Sequence, residues 1–484
     1  MIGGEAQPLF GVRSFDPKQS GTRFRLLAVP PSSGAEPELE TVALSSPVGS
    51  IGPGPADVRM FVIDPIGEKP PYGMNRGPYG TPYIYFPPWT GPIRPPAMPG
   101  PDGHFDHLVV GAPGFAAAHL FGCVRFTLDV WEGYFGRPIP WFFAPRYDRL
   151  EIVSLPHFDN AHAGLGFLEA GHYVNDRGEA VLLELSSDII AHEVGHLIIY
   201  AEVGQPTNAT AVGEYYGFHE SAADLVALVT AAHFDSVIDH LFESTRGNLY
   251  VLNHLNRIGE ISDNDQIREA ANSRHLAEFA AGWTKEHQLS LPLTGAMFDI
   301  LVDIFHELLV ERHLISPEME HLADVVEQEP QYEGLIQGFF DDAYARNPEP
   351  FRRALLDARD CIGLYLALTW QRLSPHSLNY VDVAAALLQV DRECSGGRFA
   401  RLIHRNCALR GIGLVTVGPR LTPPGADNHA FSARTLAPEM RLGMPAMAYR
   451  ERWELARRGV RPVESKSCAT RGGTQNTVAH LRRI

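Results

Sequence analysis

The sequence predicts an α+β protein with a β-rich N-terminal lobe, a mainly helical C-terminal lobe and one histidine-bearing helix at their junction. Three observations predict it. Short strand patterns such as "TRFRLLAV", "VRMFVID" and "LEIVSLP" all precede residue 187. Beyond Ala201 the apolar residues recur at helical spacing, as in "AMFDILVDIFHELLVERHL", "ALLDARDCIGLYLALTWQRL" and "VDVAAALLQVDRE". Between these regions, "DIIAHEVGHLIIY" (188–200) sets two histidines and a glutamate into an otherwise apolar run.

Taken in order, residues 1–103 are rich in Pro and Gly, with "YGTPYIYFPPWTGPIRPPAMPGPDG" as the extreme case. They read as a small β element and an extended proline-rich linker. Residues 104–200 begin with a long amphipathic helix over 116–136, in which His119 reads as packed or exposed rather than as a ligand. A strand at "LEIVSLP" follows, then a hairpin in "HYVNDRGEAVLLEL" turning at Asn175 to Gly178, then the histidine helix. Residues 201–392 read as a helical lobe. Residues 393–484 read as an extension that is partly a tail, with a short helix around Arg450 to Arg458.

The histidine helix carries the chemistry. Ile189, Ile190, Val194, Leu197, Ile198 and Ile199 give it a broad apolar surface, Ser187 or Asp188 can cap it, and Gly204 and Pro206 end it. His192 and His196, four apart, fall on one face, where two neutral imidazoles can hold one zinc ion. Glu193 beside them can reach a water on the same metal and act as general base, the H-E-x-x-H arrangement. A core helix with two satisfied histidines fits the same five residues, so a third ligand must decide. The segment "GEYYGFHESAADLVALVTAAHF" (213–234) reads as a second helix from His219 on. Glu220 near its start could supply that ligand and complete a His2Glu site. Asp224, one turn later on the same face, can accept the free ring N–H of a ligating histidine and set its tautomer. The competing reading makes Glu220 a first-turn helix charge and Asp224 a solvated residue.

"DIIAHEVGH" followed by "HESAAD" resembles the thermolysin-like metallopeptidases, the gluzincins, over roughly residues 105–390. The resemblance implies a two-lobe fold with the zinc helix at the junction, and a zinc-dependent endopeptidase acting on protein or peptide substrates. The gap from His196 to Glu220 is a few residues longer than in thermolysin. Upstream, "FDNAHAG" (158–164) resembles the family's Asn-Ala edge strand, which implies that Asn160 and Ala161 bind an extended peptide by strand addition. Downstream, "EHQLSLPLTGAMFDILVDIF" (286–305) resembles the segment whose histidine stabilises the oxyanion, a role implied for His287, with Ser290 three residues on. The aspartate that orients this histidine in the family is replaced by Gly282, and Glu286 or Asp263 is the available substitute. Arg257 is matched loosely to a substrate-contacting arginine. Tyr215 and Tyr216 lie near the place of a transition-state tyrosine and read as structural. Asp188 takes the place of a calcium ligand but reads as a helix cap. With Ala231 where another carboxylate belongs, no obligatory calcium is expected.

Composition narrows the partners. The chain has 484 residues with 45% hydrophobic and 20% charged, ordinary for a globular protein, and room for several domains. Its 41 basic and 57 acidic residues give a net charge of −16, which argues against nucleic acid and offers no basic face to anionic membranes. No apolar run is long enough for a transmembrane helix, so no membrane insertion is expected. The N-terminus lacks a signal-peptide pattern, and the segment before the core does not resemble the family's inhibitory pro-region. An odd count of five cysteines without a CxxC pair fits a reducing compartment, with Cys123 as a buried thiol. A cytoplasmic location, or export without a classical signal, is expected. So is restraint by narrow specificity, inhibition or delivery. Two alternatives stand beside the endopeptidase: a catalytically silent zinc scaffold that binds a protein partner, and a gluzincin aminopeptidase, which the absence of a G-x-M-E-N motif disfavours. Substrate preference and oligomeric state are not written in the sequence.

Overall fold

The computed structural model describes residues 21–29, 38–76, 81–175, 178, 180–249, 257–258, 268–280, 282, 286–320 and 333–413. Within them the chain is mixed α+β. The strands are β1 (Arg23–Leu27), β2 (Leu39–Ala43), β3 (Met60–Ile63), β4 (Gly73–Arg76), β5 (Pro82–Tyr85), β6 (Leu150–Pro156), β7 (Ala161–Gly164), β8 (Phe167–Val174) and β9 (Ala180–Leu182), with a short pair, β10 (Arg257–Ile258) and β11 (Arg268–Glu269). The helices are α1 (Phe115–Phe135), α2 (Ser187–Glu202), α3 (Gly213–Ala231), α4 (Asp235–Thr245), α5 (Glu286–Glu311), α6 (Glu333–Arg346), α7 (Pro348–Trp370), α8 (Tyr380–Ser395) and α9 (Ala400–Leu409). Among the described residues, no single helix is long and apolar enough to cross a membrane.

The central sheet runs β3-β6-β8-β7. β3 and β8 are parallel to β6, while β7 and β9 are antiparallel to β8. Period two sorts its side chains onto two faces. Leu150, Ile152, Leu168 and Ala170 face the helices and join the main core. Val153, Leu155 and Phe167 face the other way, into a smaller core with Ile63 and Tyr72. Each large aliphatic side chain sealed this way contributes roughly 1.5–3 kcal/mol. Glu169 also lies on this outer face, fully buried, and is satisfied by Lys69, by the Tyr72 N–H at 2.7 Å and by His162 Nε2 at 2.7 Å. A buried carboxylate needs such partners. Because His162 sits on β7, the pairing also ties that strand down.

The division drawn at residue 103 runs through one packing unit. β3 pairs with β6 in register Met60↔Leu150, and Phe24 and Leu26 of β1 share a core with α1. The proline-rich segment hides this because its strands are only four or five residues long and one of them, β3, pairs with a strand far along the chain. The division at 392 falls inside α8. Helical packing continues through α9, where Asn406 Nδ2 donates to Asp303 of α5 at 2.5 Å and Arg410 pairs with Asp299 at 2.6 Å, both buried. The turn from Asn175 to Gly178 is present as a Gly178 N–H to Asn175 C=O bond of 2.9 Å. Residues 450–458 lie outside the described residues.

Candidate metal centre

α2 begins at Ser187, with Ser186 in the cap position. Asp188 is therefore not the cap residue. It lies in the first turn, where a carboxylate is favoured, and accepts from Ser186 Oγ and from the Ile189 N–H. His119 is fully buried rather than exposed; its Nδ1 donates to the Glu184 C=O at 3.2 Å, and burial pushes it down to about 4. Cys123 is buried as expected, and burial pushes its thiol up to about 12, which leaves it inert.

α3 starts at Gly213, six residues before His219, so Glu220 sits in the helix body rather than near its start. Gly213 and Gly217 disguise this turn because glycine is a poor helix former. Packing explains Gly217: a Cβ there would lie 2.2 Å from Tyr380 Oη and 2.9 Å from Leu289 Cγ. Gly195 serves α2 the same way. A Cβ at that position would lie 2.7 Å from Ala223 Cα, so only glycine lets α2 and α3 approach this closely.

That approach brings the donors together. The side-chain donors of His192, Glu193 and His196 lie within 4.8 Å of one another, and this group could hold a metal ion. Glu220 reaches across from α3, its Oε2 3.5 Å from His192 Nε2 and its Oε1 3.8 Å from His196 Nε2. His192 Nδ1 is 3.0 Å from Asp224 Oδ1, and the Asp224 side chain is fully buried. An acceptor there keeps the proton on Nδ1 and leaves Nε2 its lone pair.

The second histidine is held by a residue the sequence analysis did not single out. His196 Nδ1 lies 3.0 Å from His219 Nδ1. Burial lowers His219 to about 4, so its ring is neutral and can accept the His196 N–H. Tyr200 covers its ring at 4.4 Å. Both had a sequence signal: His219 directly precedes Glu220, and Tyr200 lies four residues after His196 on one helix face.

His287 is the second residue of α5, inside the helix rather than ahead of it. Pro292 masks that start, since proline reads as a helix boundary. His287 Nδ1 is 2.7 Å from Glu220 Oε2, a close approach but not an aligned hydrogen bond, and the side chain is 38% exposed. Ser290 is buried and its Oγ donates to the His287 C=O at 2.8 Å, fixing the turn rather than the ring. Asp263 and the Arg257 side chain lie outside the described residues.

Ala161 opens β7, the last strand of the central sheet among the described residues, and packs in the same core as Ile190, Ala191 and Val194 of α2. Asn160 precedes it, and its C=O accepts the Gly171 N–H at 3.1 Å. The free edge of β7 thus runs beside the histidine helix. Tyr215 is buried with its Oη donating to the Gly204 C=O at 2.7 Å, a loop brace, whereas Tyr216 is exposed. No protein-family model matches this chain, and no curated protein matches it.

Proposed function

We propose that this chain is a zinc-dependent endopeptidase of thermolysin-like architecture. One observation carries the reading: two imidazole nitrogens and a carboxylate converge from α2 and α3, and each imidazole is backed by a buried group able to accept its ring N–H. His192 Nε2, His196 Nε2 and Glu220 would hold one ion, and this nitrogen and oxygen set suits zinc. When bound, zinc would polarise the substrate carbonyl and acidify a water toward neutral pH.

The chain's own residues do the rest. Glu193 takes a proton from the attacking water as its oxygen bonds to the scissile carbonyl carbon. It then gives that proton to the leaving nitrogen as the C–N bond breaks. His287 donates a ring N–H to the charge that grows on the carbonyl oxygen. Asn160, Ala161 and the free edge of β7 hold the peptide extended. Asp224 and His219 keep the two ligating rings in the required tautomer.

The test is internal cleavage of an unstructured peptide by the full chain, abolished by chelation and restored by zinc. Cleavage that survives complete removal of the metal would sink the reading. Stoichiometric zinc without cleavage would make the chain a scaffold.

A further inference from the structure

We propose that the pocket between the first turn of α3 and the start of α5 is a subsite for a lysine or arginine side chain of the peptide substrate. The inference rests on the endopeptidase reading and extends it to substrate class. The pocket has a volume of about 480 Å³. Val212, Leu276, Phe279 and Leu289 give it apolar walls, and Glu214 and His275 are its polar lining. His275 is already engaged, its Nδ1 accepting the Ala277 N–H at 3.1 Å. Among the described residues lining the pocket, Glu214 is the one carboxylate. Its Oε2 accepts the Tyr380 N–H at 2.7 Å, and among the described residues no lysine or arginine pairs with it.

Apolar walls ending at a carboxylate match a long methylene stem with a cationic head. The net charge of −16 also draws basic peptides toward the chain. The position fits a substrate residue near the scissile bond. Glu214 shares α3 with Glu220, six residues away, an axial rise of about 9 Å with the two side chains roughly 120° apart around the helix. An extended peptide covers that in roughly three residues. Leu289 shares α5 with His287, so the pocket borders α3, which carries Glu220, and α5, which carries His287. The N-terminal dipole of α3 offsets part of the Glu214 charge, which keeps the expected preference moderate.

The experiment compares peptides differing only by Arg, norleucine or Glu at single positions within about three residues of a fixed scissile bond. Zinc-loaded wild type, Glu214→Gln and Glu214→Lys are assayed for cleavage. Glu193→Gln, alone and combined with Glu214→Lys, is assayed for binding of the same peptides. Glu214→Gln keeps a carbonyl oxygen for the Tyr380 N–H, so it removes charge with little structural change. The expected result is an Arg preference of about five- to tenfold at one position, lost in Glu214→Gln and turned toward Glu in Glu214→Lys. Cleavage with no Arg preference, or a preference that Glu214→Lys leaves intact, overturns the subsite and spares the peptidase. Failure to cleave, with Arg-selective binding that Glu214→Lys abolishes, supports the subsite and removes the peptidase. Neither cleavage nor selective binding removes both.

Discussion

At the scale of single residues, the metal centre separates residues that hold the ion from residues that hold the ligands. Asp224→Ala leaves His192 Nδ1 without its acceptor, and zinc affinity is expected to fall about 10- to 100-fold in chelator competition. His219→Ala should do the same through His196. His219→Asn places a carbonyl oxygen near the lost Nδ1 and should recover most of the loss; an alanine variant with wild-type affinity would show that His196 needs no partner. Away from the centre, buried His119 sets a pH dependence. Its native value of about 4 lies below the ordinary 6.5, so the unfolded chain binds more protons between these values. The stabilisation is complete above pH 6.5 and is lost as pH falls toward 4, by about 3 kcal/mol from this group. Denaturant titrations across that range should show the slope, and His119→Gln should flatten it.

At the scale of elements, the fit of α2 against α3 decides whether three donors can meet. Gly195→Ala gains about 1 kcal/mol of helix propensity but drives a methyl into Ala223, 2.7 Å away on a backbone that cannot yield. Overpacking costs of about 1–3 kcal/mol should win, lowering the denaturation midpoint and weakening zinc binding together. An alanine variant of unchanged stability and affinity would mean the helices are not held this tightly. The same elements show what was legible. The four-residue spacing of His192 and His196 and the one-turn spacing of Glu220 and Asp224 are local, and helix geometry alone places them. The starts of α3 and α5 were not legible, because Gly213, Gly217 and Pro292 disfavour helix locally and only tertiary contacts override them. His219 was visible as a histidine but not as a partner, since its contact is to another helix.

At the scale of the whole molecule, the described residues of the proline-rich N-terminal region are part of the fold that carries the site. β3 closes one side of the central sheet over Leu150 and Ile152, and β1 packs on α1. A fragment spanning 104–413 should therefore lack a cooperative unfolding transition, and a well-folded fragment binding zinc as tightly as the full chain would contradict this. Long-range strand pairing of this kind leaves little trace in local pattern, which is why composition alone drew a boundary there. The mixed α+β character was readable, because it depends on apolar period rather than on partners. The central claim is that His192, His196 and Glu220 hold a metal that Glu193 uses. The measurement that tests it most directly is hydrolysis of an unstructured peptide library by the zinc-loaded full chain beside Glu193→Gln. The account predicts internal cleavage by the wild type and a loss of at least about 100-fold in the variant, with zinc retained by both. Equal cleavage by the two proteins, or none by either with zinc in place, would contradict it.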